Sequence, residues 1–126
     1  MSRHPYQYVV LRCVPRADRE ESVNLGVVLY CEEAGFLEAA FDVRPDRLRL
    51  LDGELDLGEV EAALAFLTRV CEGDQRGGLA ATQSLGTRFG FVRAPRSTVV
   101  RPGPVHGGLT ADPAAELASL LTRLVH

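Results

Sequence analysis

Three segments near the N-terminus alternate apolar and polar residues in the way that β-strands do. Residues 6–14, 23–31 and 36–43 are rich in β-branched and aromatic types, and charged or turn-forming stretches separate them. The second segment repeats apolar residues at every other position, namely Val23, Leu25, Val27, Leu29 and Cys31. This period of two predicts that these five side chains share one face of the strand. Because the opposite face is also partly apolar, we expect this strand to be central in an antiparallel meander.

Two later segments carry apolar residues at helical spacing. Residues 57–72 follow the capping residue Asp56, which predicts a helix whose apolar stripe covers one face of the sheet. Residues 113–124 follow Asp112, and their leucines recur three and four positions apart, which predicts a last helix packed on the core. A proline also opens residues 45–51, where we expect a short helical turn.

The segments between these helices have weaker patterns. Residues 74–86 are rich in Gly, Gln, Ser and Thr and predict a flexible connection. Phe89 and Phe91 alternate across a glycine, which predicts a strand, and residues 97–101 predict another. The run Pro102–Pro104 should then interrupt the ladder, because proline has no amide hydrogen to donate.

Composition predicts a single α+β domain over residues 1–126. It would contain a small antiparallel sheet, made of the three-strand N-terminal meander plus one or two later strands, packed with two main helices. Hydrophobic content of 46% and charged content of 25% argue against a disordered chain. No apolar run reaches the roughly 18 residues of a membrane-spanning helix. Three widely spaced cysteines favour a reducing compartment, so we expect a cytoplasmic protein with no metal and no cofactor.

Charge is distributed unevenly along the chain. No acidic residue lies between Asp74 and Asp112, whereas this stretch holds five arginines and is formally +5. Since the net charge is −3, the remainder carries −8. A basic segment of this kind predicts a surface that meets an anion, an acidic protein or a nucleic acid.

The residues that could bind such a group are concentrated between positions 93 and 110. The candidates are Arg93, Arg96, Ser97, Thr98, Arg101 and His106. Guanidinium forks bind carboxylate or phosphate through two parallel hydrogen bonds, and hydroxyls add uncharged donors. An imidazole beside two glycines could act as a general acid or base. The alternative is that these arginines pair with the protein's own acids and that the histidine only stabilises a loop.

Two further candidates, Glu21 and Asn24, lie at the start of the second predicted strand. Asn24 and Gly26 weaken a strand that is otherwise apolar. Asn24 could satisfy a loop carbonyl or mark a polar pocket, and Gly26 could allow a bulge or a close crossing of strands.

Two runs of the chain resemble a bacterial family, domain of unknown function 3037. The first is Tyr8-Val-Val-Leu-Arg-Cys-Val-Pro15, followed by Glu21-Ser-Val-Asn-Leu-Gly-Val-Val-Leu29. The second is the stretch from Ala94 to Leu109 with Asp112-Pro113 after it, although the family often has a polar residue where this chain has Gly107. The resemblance implies no defined mechanism. It implies that the gene often lies next to that of a HipA-like kinase-fold protein, of which this protein would be a partner or regulator.

Three functional hypotheses follow from these observations. The leading one is a protein-interaction or regulatory domain whose recognition surface is the segment Arg93–His106. The second is an enzyme for a phosphorylated or nucleotide substrate, in which Arg96 and Arg101 hold phosphate, a neighbouring hydroxyl assists and His106 is the acid or base. The third is a nucleic-acid-binding module, which the −8 of the remaining chain disfavours. None requires a membrane, and the oligomeric state stays open.

Overall fold

The computed structural model describes residues 2–126 and shows an α+β fold built on a five-stranded antiparallel sheet. The strands are β1 (His4–Cys13), β2 (Val23–Cys31), β3 (Phe36–Phe41), β4 (Val100–Pro102) and β5 (His106–Thr110). The helices are α1 (Pro45–Leu51), α2 (Leu57–Glu72), α3 (Leu85–Arg93) and α4 (Pro113–Leu124). The predicted α+β class and N-terminal meander are therefore confirmed, as are the bounds of α2 and α4. No helix among residues 2–126 has the length and apolar character needed to cross a membrane.

The sheet has the order β3-β2-β1, and both β4 and β5 pair with the remaining edge of β1. Pairing of β1 passes from Leu11 opposite Pro102 to Tyr8 opposite His106, so the edge strand has one residue more than β1 over this interval. The expectation that the Pro-Gly-Pro run interrupts the ladder is confirmed, because β4 ends at Pro102 and the next strand begins at His106. The Gly103 amide still donates to the Val10 carbonyl at 2.8 Å, so the edge stays close to β1 across the interruption.

A bulge in β2 changes which face its side chains occupy. The register with β1 shifts where Leu11 faces Gly26 and Arg12 faces Asn24, which leaves Leu25 as the extra residue. A Cβ atom at Gly26 would lie 2.4 Å from the Ala40 carbonyl oxygen, so only glycine fits there. The predicted bulge at Gly26 is thus confirmed. The prediction that Val23, Leu25, Val27, Leu29 and Cys31 share one face is wrong, because the first two enter one core and the last three enter the other.

Helices cover both faces of the sheet, which explains why β2 is apolar on both sides. One core lies between the sheet and helices α2 and α3, and it includes Val9, Leu11, Val28, Val60, Leu64, Leu67, Val70 and Phe89. The other lies under α4 and includes Tyr6, Val27, Leu29, Cys31, Leu117 and Leu120. Burial on both faces is the reason that the central strands read as nearly continuous apolar runs.

Helix α3 occupies the segment for which the sequence predicts a strand. The Ser84 side chain accepts a hydrogen bond from the Thr87 amide at 3.4 Å and so caps the helix. Phe89 and Val92, three residues apart, are both buried against the α2 core. Packing of these two side chains outweighs the strand preference of the phenylalanines and the cost of Gly90 in a helix.

The predicted flexible connection at residues 74–86 has local structure. Two short 3₁₀ turns occupy Gln75–Thr82 and are separated by a kink at Gly78, where φ is 72°. The Asp74 carboxylate accepts from the Arg76 amide at 2.9 Å and pairs with the Arg76 guanidinium at 2.7 Å. These contacts are local in sequence, and no periodic apolar pattern predicts them.

Candidate functional site

The predicted recognition segment, residues 93–106, runs from the end of α3 to the outer edge of the sheet. Its first part is an extended loop beside α2, and its second part is β4 and the bulge before β5. The segment therefore folds against the first strands, a point that the sequence leaves open. Its side chains reach three different surfaces of the molecule.

The arginines of the basic segment do not form one continuous basic face. Arg76 pairs with Asp74, and Arg88 points into the protein. The Nη1 atom of Arg88 donates to the carbonyls of Val70 at 3.2 Å and Cys71 at 2.8 Å, which are in the last turn of α2. Arg76 is thus paired with a neighbouring carboxylate, and Arg88 interacts with the C-terminal end of a helix.

Arg96 is the candidate with the most distinctive surroundings. Its guanidinium lies over the Phe91 ring, 5.1 Å from the ring centroid, and Nη2 donates to the Phe91 carbonyl. Burial lowers the pKa of Arg96 below its ordinary value. Within residues 2–126 no carboxylate lies within ion-pair distance of it. Arg93, at the end of α3, is exposed and likewise has no polar partner among the described residues.

An apolar groove adjoins Arg96, between α2 and the loop that follows α3. We call it the α2–α3 groove; its volume is about 560 Å³, and its lining includes Ala63, Phe66 and Leu67 of α2 with Phe91, Pro95 and Arg96. Phe66 and Phe91 meet edge to face with ring centroids 6.1 Å apart, yet they stay 36% and 37% exposed. Two adjacent phenylalanines at this exposure are unusual for a surface that only faces water.

Ser97, Thr98 and Arg101 form a local network at the start of β4. The Arg101 guanidinium donates to the Thr98 carbonyl at 2.8 Å and to the Ser97 carbonyl at 3.2 Å. The Thr98 hydroxyl donates to the Val100 carbonyl at 2.9 Å. This network also lines a cleft with four carboxylates, those of Asp52, Glu54, Asp56 and Glu59. The local field at Ser97 and Thr98 is therefore less positive than the basic segment suggests.

His106 lies apart from these residues, on the face of the sheet that carries α4. It is exposed and stacks on Tyr8, its direct cross-strand neighbour, with ring centroids 5.2 Å apart. His106 is opposite Tyr8 and Arg101 is opposite Arg12, which is four residues farther along β1. His106 and Arg101 are therefore about 13 Å apart along the sheet. No cleft described in this structure includes both His106 and an arginine of the segment.

The two N-terminal candidates have different roles. The Asn24 amide donates to the Leu124 carbonyl at 2.9 Å, so it satisfies the C-terminal end of α4 rather than a loop. The Glu21 carboxylate pairs with Arg19 at 2.5 Å and lines a cleft of about 320 Å³ that also contains Arg101. The structure thus brings Glu21 and Arg101 together, which their 80-residue separation in sequence conceals.

Sequence reasoning missed three residues of these surfaces. In the sequence, Phe66 is one more apolar residue of α2, and Phe91 belongs to a segment whose pattern predicts a strand. Arg12 lies between the buried residues Leu11 and Cys13 of β1, and it lines the same cleft as Glu21 and Arg101. A charged residue inside an otherwise apolar central strand was the available signal for Arg12.

The described residues contain no arrangement typical of a metal site or a reactive thiol. No group of three or more His, Cys, Asp or Glu side chains within residues 2–126 could hold a metal ion. All three cysteines are buried. Burial raises the pKa of Cys13 to about 11 and that of Cys71 to about 12, so these thiols stay protonated near neutral pH.

Comparison with known proteins gives one match. The model of the family described as protein of unknown function, DUF3037, matches residues 8–125. This match covers nearly the whole chain and confirms the resemblance seen in the two sequence runs. Neither a curated protein nor a solved structure matches the chain significantly.

Proposed function

We propose that this chain, which belongs to the DUF3037 family, is a protein-interaction domain that binds its partner in the α2–α3 groove. The partner would insert a short segment with one or two large apolar side chains and an acidic residue. The apolar side chains would pack on Phe66 and Phe91, and the carboxylate would pair with Arg96. Arg93, which precedes the lining residue Ala94, would attract the same acidic segment.

The single observation that carries this proposal is the environment of Arg96. A guanidinium that is partly buried, with a lowered pKa and no carboxylate within residues 2–126 to pair with, has lost part of its hydration and interacts in return only with the Phe91 carbonyl and ring. A carboxylate from a bound partner would restore that interaction. Arginine beside exposed aromatic rings is also the composition found at the energetic centres of protein interfaces.

The shape and lining of the groove favour a protein segment over a nucleic acid. Its walls are mainly aliphatic and aromatic, and the carboxylate-bearing Glu59 also lines it. A nucleic acid would need a row of cations spaced to follow phosphates. An amphipathic helix or a short extended segment, by contrast, binds apolar grooves through two or three anchor side chains.

The sequence resemblance suggests a candidate for the partner and for a regulatory role. If the gene lies beside that of a HipA-like kinase-fold protein, that protein is the first one to test. A small domain that occupies a surface of a kinase-fold protein could hold it in one conformation, which would make this chain a regulator.

The proposal is tested by affinity purification of the tagged protein from its native host, with and without nuclease, followed by mass spectrometry. Two groove variants, Phe66→Ala and Arg96→Glu, are compared with two matched controls. Leu50→Ala removes an apolar side chain that is 89% exposed outside the groove, and Arg49→Glu reverses an exposed arginine on the same short helix, α1. Circular dichroism confirms that all four variants fold.

We expect a nuclease-resistant partner with wild type and both controls, and its loss with both groove variants. With the purified partner, each groove variant should bind about tenfold more weakly or worse. A partner that both groove variants retain would refute the groove as the binding surface. Material that disappears on nuclease treatment would instead favour the nucleic-acid hypothesis.

The enzyme hypothesis has less geometric support. An acid or base must lie within hydrogen-bond reach of the group that it protonates or deprotonates. His106 is about 13 Å along the sheet from Arg101, and its nearest aromatic neighbour is Tyr8. Replacement of His106 by alanine should therefore leave partner binding unchanged, whereas a phosphoryl-transfer enzyme would lose its turnover.

A further inference from the structure

A second cleft, on the side of the sheet edge away from the groove, brings two arginines together. Arg12 of β1 and Arg101 of β4 are direct cross-strand partners, so their side chains leave the sheet on the same face with Cβ atoms about 4.5–5.5 Å apart. Both line the cleft of about 320 Å³ with Val14, Glu20, Glu21 and Ser22. None of these residues lines the α2–α3 groove.

The Arg12 side chain has an unused donor inside the protein. Its Nε atom is buried and has no hydrogen-bond partner anywhere in the described chain. No carboxylate within residues 2–126 is in ion-pair distance of Arg12 or Arg101. Two guanidinium groups on facing strands repel each other, and a buried donor without an acceptor is costly. An anion bound in the cleft would remove the repulsion between the two guanidinium groups.

The Arg101 guanidinium is already held in position for such an anion. Its Nε and Nη2 atoms donate to the carbonyls of Thr98 and Ser97, which fixes the plane of the group and leaves Nη1 without a partner in the described structure. Ser22 adds a hydroxyl to the lining. Two guanidinium groups and one hydroxyl around a small volume form a set of donors suited to a single oxyanion.

We propose that the Arg12–Arg101 cleft binds the carboxylate or phosphate group of a small molecule. The carboxylates of Glu20 and Glu21 at the same cleft would repel a chain of several phosphates, so the ligand carries one such group rather than a polyanion. The site would give this domain a small-molecule ligand in addition to its partner.

The test is a titration of the isotope-labelled protein with sodium phosphate and, separately, with sodium acetate, followed by NMR. The Nε–Hε signal of Arg12 reports directly on the unused donor, and sodium chloride at equal ionic strength controls for screening. The comparison uses Arg12→Gln, Arg101→Gln and a control, Arg49→Gln, whose arginine is exposed and does not line the cleft.

We expect saturable shifts of the Arg12 and Ser22 signals, with binding about tenfold weaker or worse in Arg101→Gln and unchanged in Arg49→Gln. Stronger binding of phosphate would identify a phosphorylated ligand, and stronger binding of acetate a carboxylate. If neither salt moves the Arg12 signal more than chloride does, the proposal is wrong. Shifts that persist in Arg101→Gln would also overturn it, and that variant keeps the test valid even if Arg12→Gln fails to fold. Neither failure would bear on the groove, because no partner protein is present.

Discussion

Replacement of Arg88 by methionine removes the guanidinium that hydrogen-bonds the C-terminal carbonyls of α2. In the native protein its Nη1 atom bonds two carbonyls of the last helical turn, at 3.2 and 2.8 Å. The last four carbonyls of a helix have no partner within the helix, and a cation there also interacts favourably with the helix dipole. Methionine keeps most of the aliphatic stem, so the variant mainly removes the polar contacts and not the packing.

The expected loss in the free energy of unfolding is about 2–4 kcal/mol. Each hydrogen bond from a charged donor contributes about 1.5–3 kcal/mol, and the dipole adds up to about 1 kcal/mol. The native arginine also has a cost, because its buried Nε lacks a partner among the described residues, and this offsets about 1–3 kcal/mol. For a chain of 126 residues, the net loss corresponds to a fall in Tm of roughly 10 °C.

Urea unfolding measures this difference, with Arg93→Met as the matched control. Arg93 is on the same helix but is exposed, with no polar partner in the described part of the chain, so its variant should stay within about 0.5 kcal/mol of wild type. The reasoning fails if both variants lose the same stability. It would also fail if Arg88→Met changed the slope with urea and not the midpoint, since that would indicate a different unfolded state.

Three further predictions concern the fold. Gly26→Ala should lose about 1–3 kcal/mol or more, because its Cβ would lie 2.4 Å from a backbone oxygen, whereas Gly90→Ala, with open space around it, should gain about 0.5–1 kcal/mol; thermal unfolding distinguishes them. Iodoacetamide near pH 8 should leave Cys71 unmodified until the protein is denatured, because burial raises its pKa to about 12; alkylation of the folded protein, detected by mass spectrometry, would contradict this. A hydrogen bond from His126 lowers the pKa of Asp42 in the folded protein below its ordinary value of 3.8. The carboxylate therefore stabilises the fold fully above pH 3.8, and this stabilisation is lost as the pH falls through the lower pKa of the folded state. The Tm of Asp42→Asn should therefore be below that of wild type at neutral pH and approach it in acid; a constant difference would argue against this role.

Local signals predicted the elements that depend on neighbours in sequence. The capping residues Asp56 and Asp112 predict the starts of α2 and α4, because a capping side chain accepts a hydrogen bond from an amide two or three residues later. The apolar residues on both faces of β2 predict a central strand, because a strand that is covered on both sides is apolar at nearly every position. The segment around Phe89 was assigned wrongly, because its burial depends on α2 and the sheet.

The candidate sites depended on tertiary structure to a greater degree. All 14 basic residues are arginine, so residue type alone could not indicate which one caps a helix, which adjoins a groove and which is paired. Arg88, Arg96 and Arg101 look alike in the sequence, yet they contact helix carbonyls, an aromatic ring and the carbonyls of their own loop. The donor and acceptor partners of each come from different parts of the chain or from the turns around it.

The sequence by itself determined the α+β class, the meander, the two main helices and the membership in a family. It also determined the uneven charge, since these properties depend on composition and on short-range periodicity. Only the tertiary structure decided that Arg12 faces Arg101 and that Phe66 meets Phe91. Such pairs depend on strand register and on helix packing, which are set by the whole core. The residues nearby in the sequence therefore do not predict them.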